Sequence, residues 1–369
     1  MGNALEAVTN EQAVTVAPPR PVAWYRTPLD TKILQNLHLR SDFWGSLQTF
    51  GYLGVLLLTG GVAFYSAGRW PWWATVLLVF LHGTVFAFQI NAVHELGHGT
   101  VFKTRRLNWI FERVFGFLGW INFHSFDTSH VRHHQYTLHP PDDLEVVLPA
   151  KIAVKDFFKS GFIAPLHVRW IVMTNLRFAR GKFVGDWELK LFPESNPAKR
   201  RPLVRWSQFI LAGHAIILVG SIAAAVLGHP RFLMLPLLLS CGQTYGSWLF
   251  FLCNNTQHIG LQDNVPDFRL CCRTFTLNPV VQFLYWHMNY HIEHHMYAAV
   301  PCYKLGRLHR LIEHDLPACP RSIAATWREI AAILKIQKQD PAYQHLPPCP
   351  NPRPKDVEKR AAAPVLQPA

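Results

Sequence analysis

The chain has 369 residues, half of them hydrophobic and only 16% charged, a balance foreign to a soluble protein of this length. Its formal net charge of +13 coexists with long uncharged runs, so the excess reads as a topology signal and an attraction to anionic lipid headgroups, with no nucleic acid partner required. Seven cysteines without a CxxC pair imply no disulfide framework.

In chain order, residues 1–42 are polar, mixed in charge and without a cleavable signal pattern, which predicts a cytosolic N-terminal segment. Four windows free of Asp, Glu, Lys and Arg follow, bounded by Asp42 and Arg69, Arg69 and Glu95, Arg205 and Arg231, and Arg231 and Asp263. A helix needs about 20 apolar residues to cross a hydrocarbon core. The windows therefore predict four transmembrane helices, near Trp44–Ser66, Trp73–Val93, Ser207–Leu227 and Phe232–Leu252. Trp44, Trp70, Trp72 and Trp73 fit an interfacial aromatic belt. Lys and Arg crowd the segment between the second and third spans and the segment after the fourth, and almost avoid the connections at Arg69 and Arg231. Positive loops stay on the cytosolic side, so both termini and the loop Gly99–Arg205 are expected there.

Within that loop, Leu107–Phe123 and Gly161–Leu176 are apolar but interrupted by charge, as helices lying at the interface would be. After the fourth span, Asn278–Val300 is aromatic and rich in histidine, and Tyr303–Ile336 reads as two amphipathic helices. The Pro-rich tail from Pro341 is predicted to be disordered. The expected fold is an all-α polytopic membrane protein: residues 1–42, a membrane domain over 43–340 with a cytosolic helical cap, and a tail over 341–369.

Twenty histidines occur, and their spacing is more informative than their number. His94 and His98 lie four apart where the second span ends, so both imidazoles share one helix face. His130, His133 and His134 form an HxxHH group in the cytosolic loop, and His291, His294 and His295 repeat that spacing after the fourth span. His258 follows Asn254 at the cytosolic end of the fourth span. The predicted topology puts all four groups on one side of the membrane, where they can converge. Nine histidines exceed the four to six ligands of one ion and suit two ions with open positions. His124, His139 and His287 lie near these groups but off the pattern, and they are expected either to support the ligating rings from behind or to be structural.

These boxes resemble those of the membrane fatty-acid desaturase and hydroxylase superfamily, over roughly Asn91 to Pro301. Asn289-Tyr290-His291-Ile292-Glu293-His294-His295 is similar to a sphingolipid-desaturase style of last box, and His133-His134-Gln135-Tyr136-Thr137 with Asp142 and Asp143 resembles the usual sequel to the second. The resemblance implies a non-haem di-iron oxidoreductase in which two ferrous ions and O2 attack an unactivated C–H bond of a fatty-acyl or lipid substrate. It implies His94, His98, His130, His133, His134, His258, His291, His294 and His295 as metal ligands, with Asn254 as a water-mediated contact. Glu95 and Glu293, inside the boxes, are expected to hold imidazole N–H groups. No His-Pro-Gly-Gly haem box occurs, so electrons are expected from a separate carrier of the ferredoxin or cytochrome b5 type with its reductase. The stretch Met296–Pro301 lacks the family's common Phe-Pro.

Desaturation is the favoured outcome, with hydroxylation or oxidative decarboxylation to a terminal alkene as the alternatives that the same boxes serve. His94-Glu95-Leu96-Gly97-His98 also fits the HExxH of an intramembrane zinc protease, a reading that leaves the remaining boxed histidines unused. A metal transporter would place ionisable residues in mid-span, for which only His82 and His214 are available.

Overall fold

The computed structural model describes residues 21–150 and 152–351. Half of the N-terminal segment and most of the Pro-rich tail lie outside the described residues. Among the described residues the regular structure is helical, and the only β-type pairings are isolated bridges such as Tyr25 with Asp267.

After a short α1 (Thr31–His38), Ser41 caps α2 (Asp42–Ser66) by accepting the Trp44 N–H, and the chain turns at Gly68 into α3 (Trp72–Phe86). A two-residue irregularity separates α3 from α4 (Gln89–Gly97), and together they form one apolar run, Trp72–Gly97. α5 (Arg105–Leu118) packs along α4 and α6 (Phe123–Tyr136) follows. α7 (Val154–Gly161), α8 (Pro165–Ala179) and α9 (Gly185–Leu191) lead into α10 (Pro197–Val226), which starts at an Asn196 cap and Pro197, two residues suited to a first turn.

Asp42–Ser66, Trp72–Gly97 and Pro197–Val226 are each long and apolar enough to cross a membrane. Only 17% of the apolar window of α10 is buried, and Ile216, Val219 and Val226 point outward. A face this apolar and exposed is satisfied by lipid rather than by water. The two expected interfacial segments become α5 and α8, and both expose large apolar residues, including Trp109 and Trp170.

The fourth charge-free window departs from expectation. Phe232–Leu252 does not form one helix: short helical turns over Pro230–Leu233, Pro236–Ser240 and Gly242–Thr244 precede α11 (Trp248–Asn254). Pro236 removes a backbone donor. Gly246 has φ +71°, and a Cβ there would lie 2.5 Å from the Phe80 carbonyl oxygen and 2.9 Å from the Thr84 nitrogen. The segment thus presses its backbone against α3, which a regular helix with side chains could not do. Its polar groups find partners: Thr244 O accepts from Ala164 N, the Gly246 N–H donates to Phe162 O, and Ser240 O accepts from Trp120 Nε1. The hydrogen-bond geometry that fills the segment comes from elsewhere in the chain, and its apolar composition carries no sign of the break.

The rest of the described chain is built of shorter helices. α12 (Phe268–Cys271), α13 (Pro279–Leu284), α14 (His291–Met296), α15 (Leu305–Ile312) and α16 (Ile323–Gln337) lie beyond α11, the last two where two amphipathic helices were expected. Buried Arg269 pairs with Asp267 at 2.9 Å and Asp315 at 2.6 Å. Both ends of the described chain tie into this knot, through Tyr25 and Thr27 donating to Asp315 and through Asn351 doing the same. Residues 341–351, predicted as the start of a disordered tail, are therefore packed, with Tyr343, Leu346 and Cys349 buried. Proline-rich composition limits helix and strand but does not prevent burial of the apolar residues interspersed with it.

Candidate metal centre

Helix geometry decides how the boxes divide. Successive residues are turned by about 100°, so positions i and i+4 share a face while i+3 is splayed away from i+4. On α6, His130 and His134 accordingly reach one group and His133 another; on α14, His291 and His295 pair and His294 departs. The result is two adjoining groups, His94, His98, His130, His134 and His294 in one, and His133, His258, His291 and His295 in the other. The ligating atoms within each group all lie within 4.8 Å of one another. All nine expected histidines are brought together, and the rings of His134 and His295, from different groups, stack at 4.4 Å.

The outer nitrogens fix which atoms face inward. Nδ1 of His130 lies 2.9 Å from Glu145, Nδ1 of His133 is 2.8 Å from Asp143, and Nδ1 of His258 is 2.7 Å from the Cys271 carbonyl oxygen. With the ring in its neutral form, these contacts make each Nδ1 the N–H side and leave a lone pair on Nε2. Those Nε2 atoms converge: His130 and His134 at 2.9 Å, His258 and His291 at 3.0 Å, and His134 and His294 at 3.2 Å. Lone pairs this close repel unless a cation lies among them. Nε2 of His98 is buried with no protein partner. The donor set fits metal ions, and imidazole suits iron, zinc, copper or nickel alike.

Electrostatics agree. Burial first, and neighbouring imidazoles second, push the pKa of His130, His134, His294 and His295 well below the ordinary value; burial holds His98 down to about 4 and His258 to about 3. These rings are neutral at physiological pH, the form that donates to a metal. His133 is the exception: burial opposes its cation, but the Asp143 hydrogen bond and the charges of Glu145 and Asp143 raise its pKa.

The two box carboxylates fare differently. Glu95 Oε1 lies 3.1 Å from Nδ1 of His94 and 3.5 Å from Nδ1 of His294, on the outer side of both rings. That position differs from that of a general base facing a metal-bound water, as the protease reading would have it. Glu293, fully buried, accepts from Thr274 Oγ1 at 2.6 Å and faces His309 Nδ1 at 2.5 Å, and so reaches α15 rather than a boxed imidazole. Asn254 ends α11 one turn before His258. Glu145 and Asp143 share with Glu95 the part that was expected of Glu95 and Glu293. Asp143 was visible only as part of the sequel to the second box, and Glu145 had no signal, because the non-helical residues 137–145 after α6 return it to His130.

His139 and His287 hydrogen-bond locally, to Thr137 O and Gln282 Nε2, and His124 sits at the start of α6, its ring against Phe123. The intramembrane candidates of the transporter reading are structural: His82 bridges Thr59 and Leu238 O, and His214 stacks on Trp120 at 4.0 Å while bonding Ser240 and Phe117 O.

Beside the first group lies a cavity of about 690 Å³, walled by aromatic residues including Phe86, Trp120, Phe126 and Phe250. It reaches the metal site through Phe126, whose ring stacks on His130 at 5.3 Å, and through Glu145. The sequence profile of the fatty acid desaturase family matches residues 70–327, which takes in all four histidine groups. The chain belongs to the fatty acid desaturase family. Comparison with curated proteins returns no match. As a family member with three long apolar helices it is a membrane protein of an oxidoreductase family whose substrates are lipids.

Proposed function

We propose that the protein is an O2-dependent, membrane-bound di-iron oxidoreductase that attacks an unactivated C–H bond of a fatty-acyl or lipid chain, and that its reaction is desaturation. The observation that supports it best is the convergence of nine imidazoles, Nε2 inward, into two groups beside a cavity walled by aromatic rings. In this reading His94, His98, His130, His134 and His294 hold one ion, and His133, His258, His291 and His295 hold the other, with Asn254 contacting the second through water. Two ferrous ions bound there would supply the activation of O2 and the cleavage of the C–H bond.

The protein's own part is positional. Glu145, Asp143 and Glu95 orient the imidazoles; the aromatic walls hold the chain and exclude water. Electrons come from an external carrier of the ferredoxin or cytochrome b5 type approaching the cap. Both termini and the cap face the cytosol, as the distribution of Lys and Arg indicates, with the segment 230–254 packed as a broken fourth crossing.

The test is to feed deuterated fatty acids to cells producing the wild type or His294→Ala and to analyse lipids and headspace by gas chromatography and mass spectrometry, with iron measured in the purified proteins. Desaturation predicts a labelled internal alkene with the wild type only. A labelled alcohol would replace it by hydroxylation, and a chain-shortened terminal alkene by oxidative decarboxylation. No labelled product together with no bound iron would overturn the reading.

A further inference from the structure

The cavity beside the first histidine group contains a polar feature that a hydrocarbon chain does not require. Gln89 opens α4 and is 2% exposed, and neither its Oε1 nor its Nε2 has a partner. It lines the cavity, as does Gln243, whose Nε2 is also buried and unpartnered. The other amides on the same wall differ: Asn122 donates to Leu203 O, Asn175 to Ile171 O, and Asn255 to Phe251 O. A buried amide left without a partner is costly, so one that lines a cavity is most simply explained by a ligand that completes it.

The charges around the cavity narrow the ligand. Among the described residues no Lys or Arg lines it. Its two carboxylates are already engaged, Glu145 with His130 and Ser129, and Glu188 with Arg177. His167, on the same wall, is pushed down by burial and is neutral at physiological pH. An anion entering here would meet two carboxylates and, among the described lining residues, no Lys or Arg side chain, the nearby Arg177 being paired with Glu188, and would lose its hydration without compensation. A neutral group that both accepts and donates meets Gln89 Nε2, Gln243 Nε2 and Gln89 Oε1 in kind. Gln89 lies five residues before His94 on one helix, a rise of about 7 Å, so such a group would sit only a short stretch of chain from the metals.

We infer that Gln89 and Gln243 form a subsite for a neutral hydroxyl or amide group of the lipid substrate, close to the carbon that reacts. The inference rests on the oxidoreductase reading for the identity of the reaction, but its test is read from binding and needs no turnover. Purified, metal-loaded enzyme would be equilibrated with tritiated octadecanamide, and displacement measured with octadecanol, octadecane and octadecanoate. Octadecanol and octadecanamide are expected to bind at least about tenfold more tightly than octadecane or octadecanoate. Their order separates a hydroxyl from an amide as the natural group.

Gln89→Met and Gln243→Met keep the shape and remove the hydrogen bonds. Each should erase most of that margin and leave octadecane binding unchanged. The inference is overturned by octadecanoate as the tightest ligand, by octadecane equal to the amide, by no displaceable amide binding, or by both variants keeping the wild-type ranking. Should Gln89→Met fail to fold, Gln243→Met and the wild-type ranking still decide. Wild-type enzyme that oxidises a lipid but shows no preference defeats this inference alone, whereas a preference without any oxidised product defeats the reaction reading instead.

Discussion

Glu145 Oε1 lies 2.9 Å from Nδ1 of His130, and its other oxygen accepts from Ser129 at 2.6 Å. One carboxylate from a loop thus sets the ring orientation of a histidine on α6. If His130 is a ligand, Glu145→Ala lowers metal affinity by about 10- to 100-fold, measured by competition with a chelator. Unchanged affinity would remove Glu145 from the support of the site.

The division of the boxes predicts selective loss. His294→Ala should deplete the group that includes His94 and His98, and His295→Ala the group that includes His258, each leaving metal in the other. Metal analysis with Mössbauer spectra of iron-loaded samples would distinguish the two. Spectra that change identically in both variants would contradict two separate groups.

Glu293 and Glu95 should behave unlike each other although both lie inside a histidine box. Glu293→Gln weakens the link to His309 and costs about 1–3 kcal/mol of stability with little change in metal affinity. Glu95→Gln, beside His94 and His294, should weaken metal retention instead. Chelator competition and thermal unfolding on the two variants would reveal a reversal of these effects.

Acidification should destabilise the metal-free protein. His98 and His258 are held to about 4 and about 3 in the folded chain, against an ordinary value of 6.5. Between those values the unfolded chain binds more protons, so stability falls as pH drops from about 6.5 towards 4 and is insensitive to these groups above that range. The unfolding midpoint of metal-free protein, followed across that range, checks this; a flat profile would mean that the rings are not buried as described.

Gly246→Ala should prevent stable accumulation or cost several kcal/mol. Ala is strained at φ +71°, and its Cβ would meet the Phe80 carbonyl at 2.5 Å. Equal amounts of folded variant and wild type in membranes would contradict the close packing of this segment on α3.

The parts of the fold set by local rules were readable from the sequence. Charge-free length located the long apolar helices of Asp42–Ser66, Trp72–Gly97 and Pro197–Val226, and i, i+4 spacing marked the histidines that converge. What escaped depends on contacts distant in sequence. The break in Phe232–Leu252 needs the docking surface of α3, and the role of Glu145 needs a loop whose path no periodicity encodes. Glu293 shows the limit of analogy between boxes, because its partner His309 lies on a different helix.

The interrupted segment 230–254 also has a bearing on biogenesis. Its carbonyls are satisfied by Ala164, Trp120 and His82, residues that enter only once the preceding spans and the loop between them are in place. Alone in a bilayer it would expose unsatisfied peptide groups to hydrocarbon. Were this stretch to cross a bilayer, its integration would have to follow assembly of the partner surface that satisfies those groups.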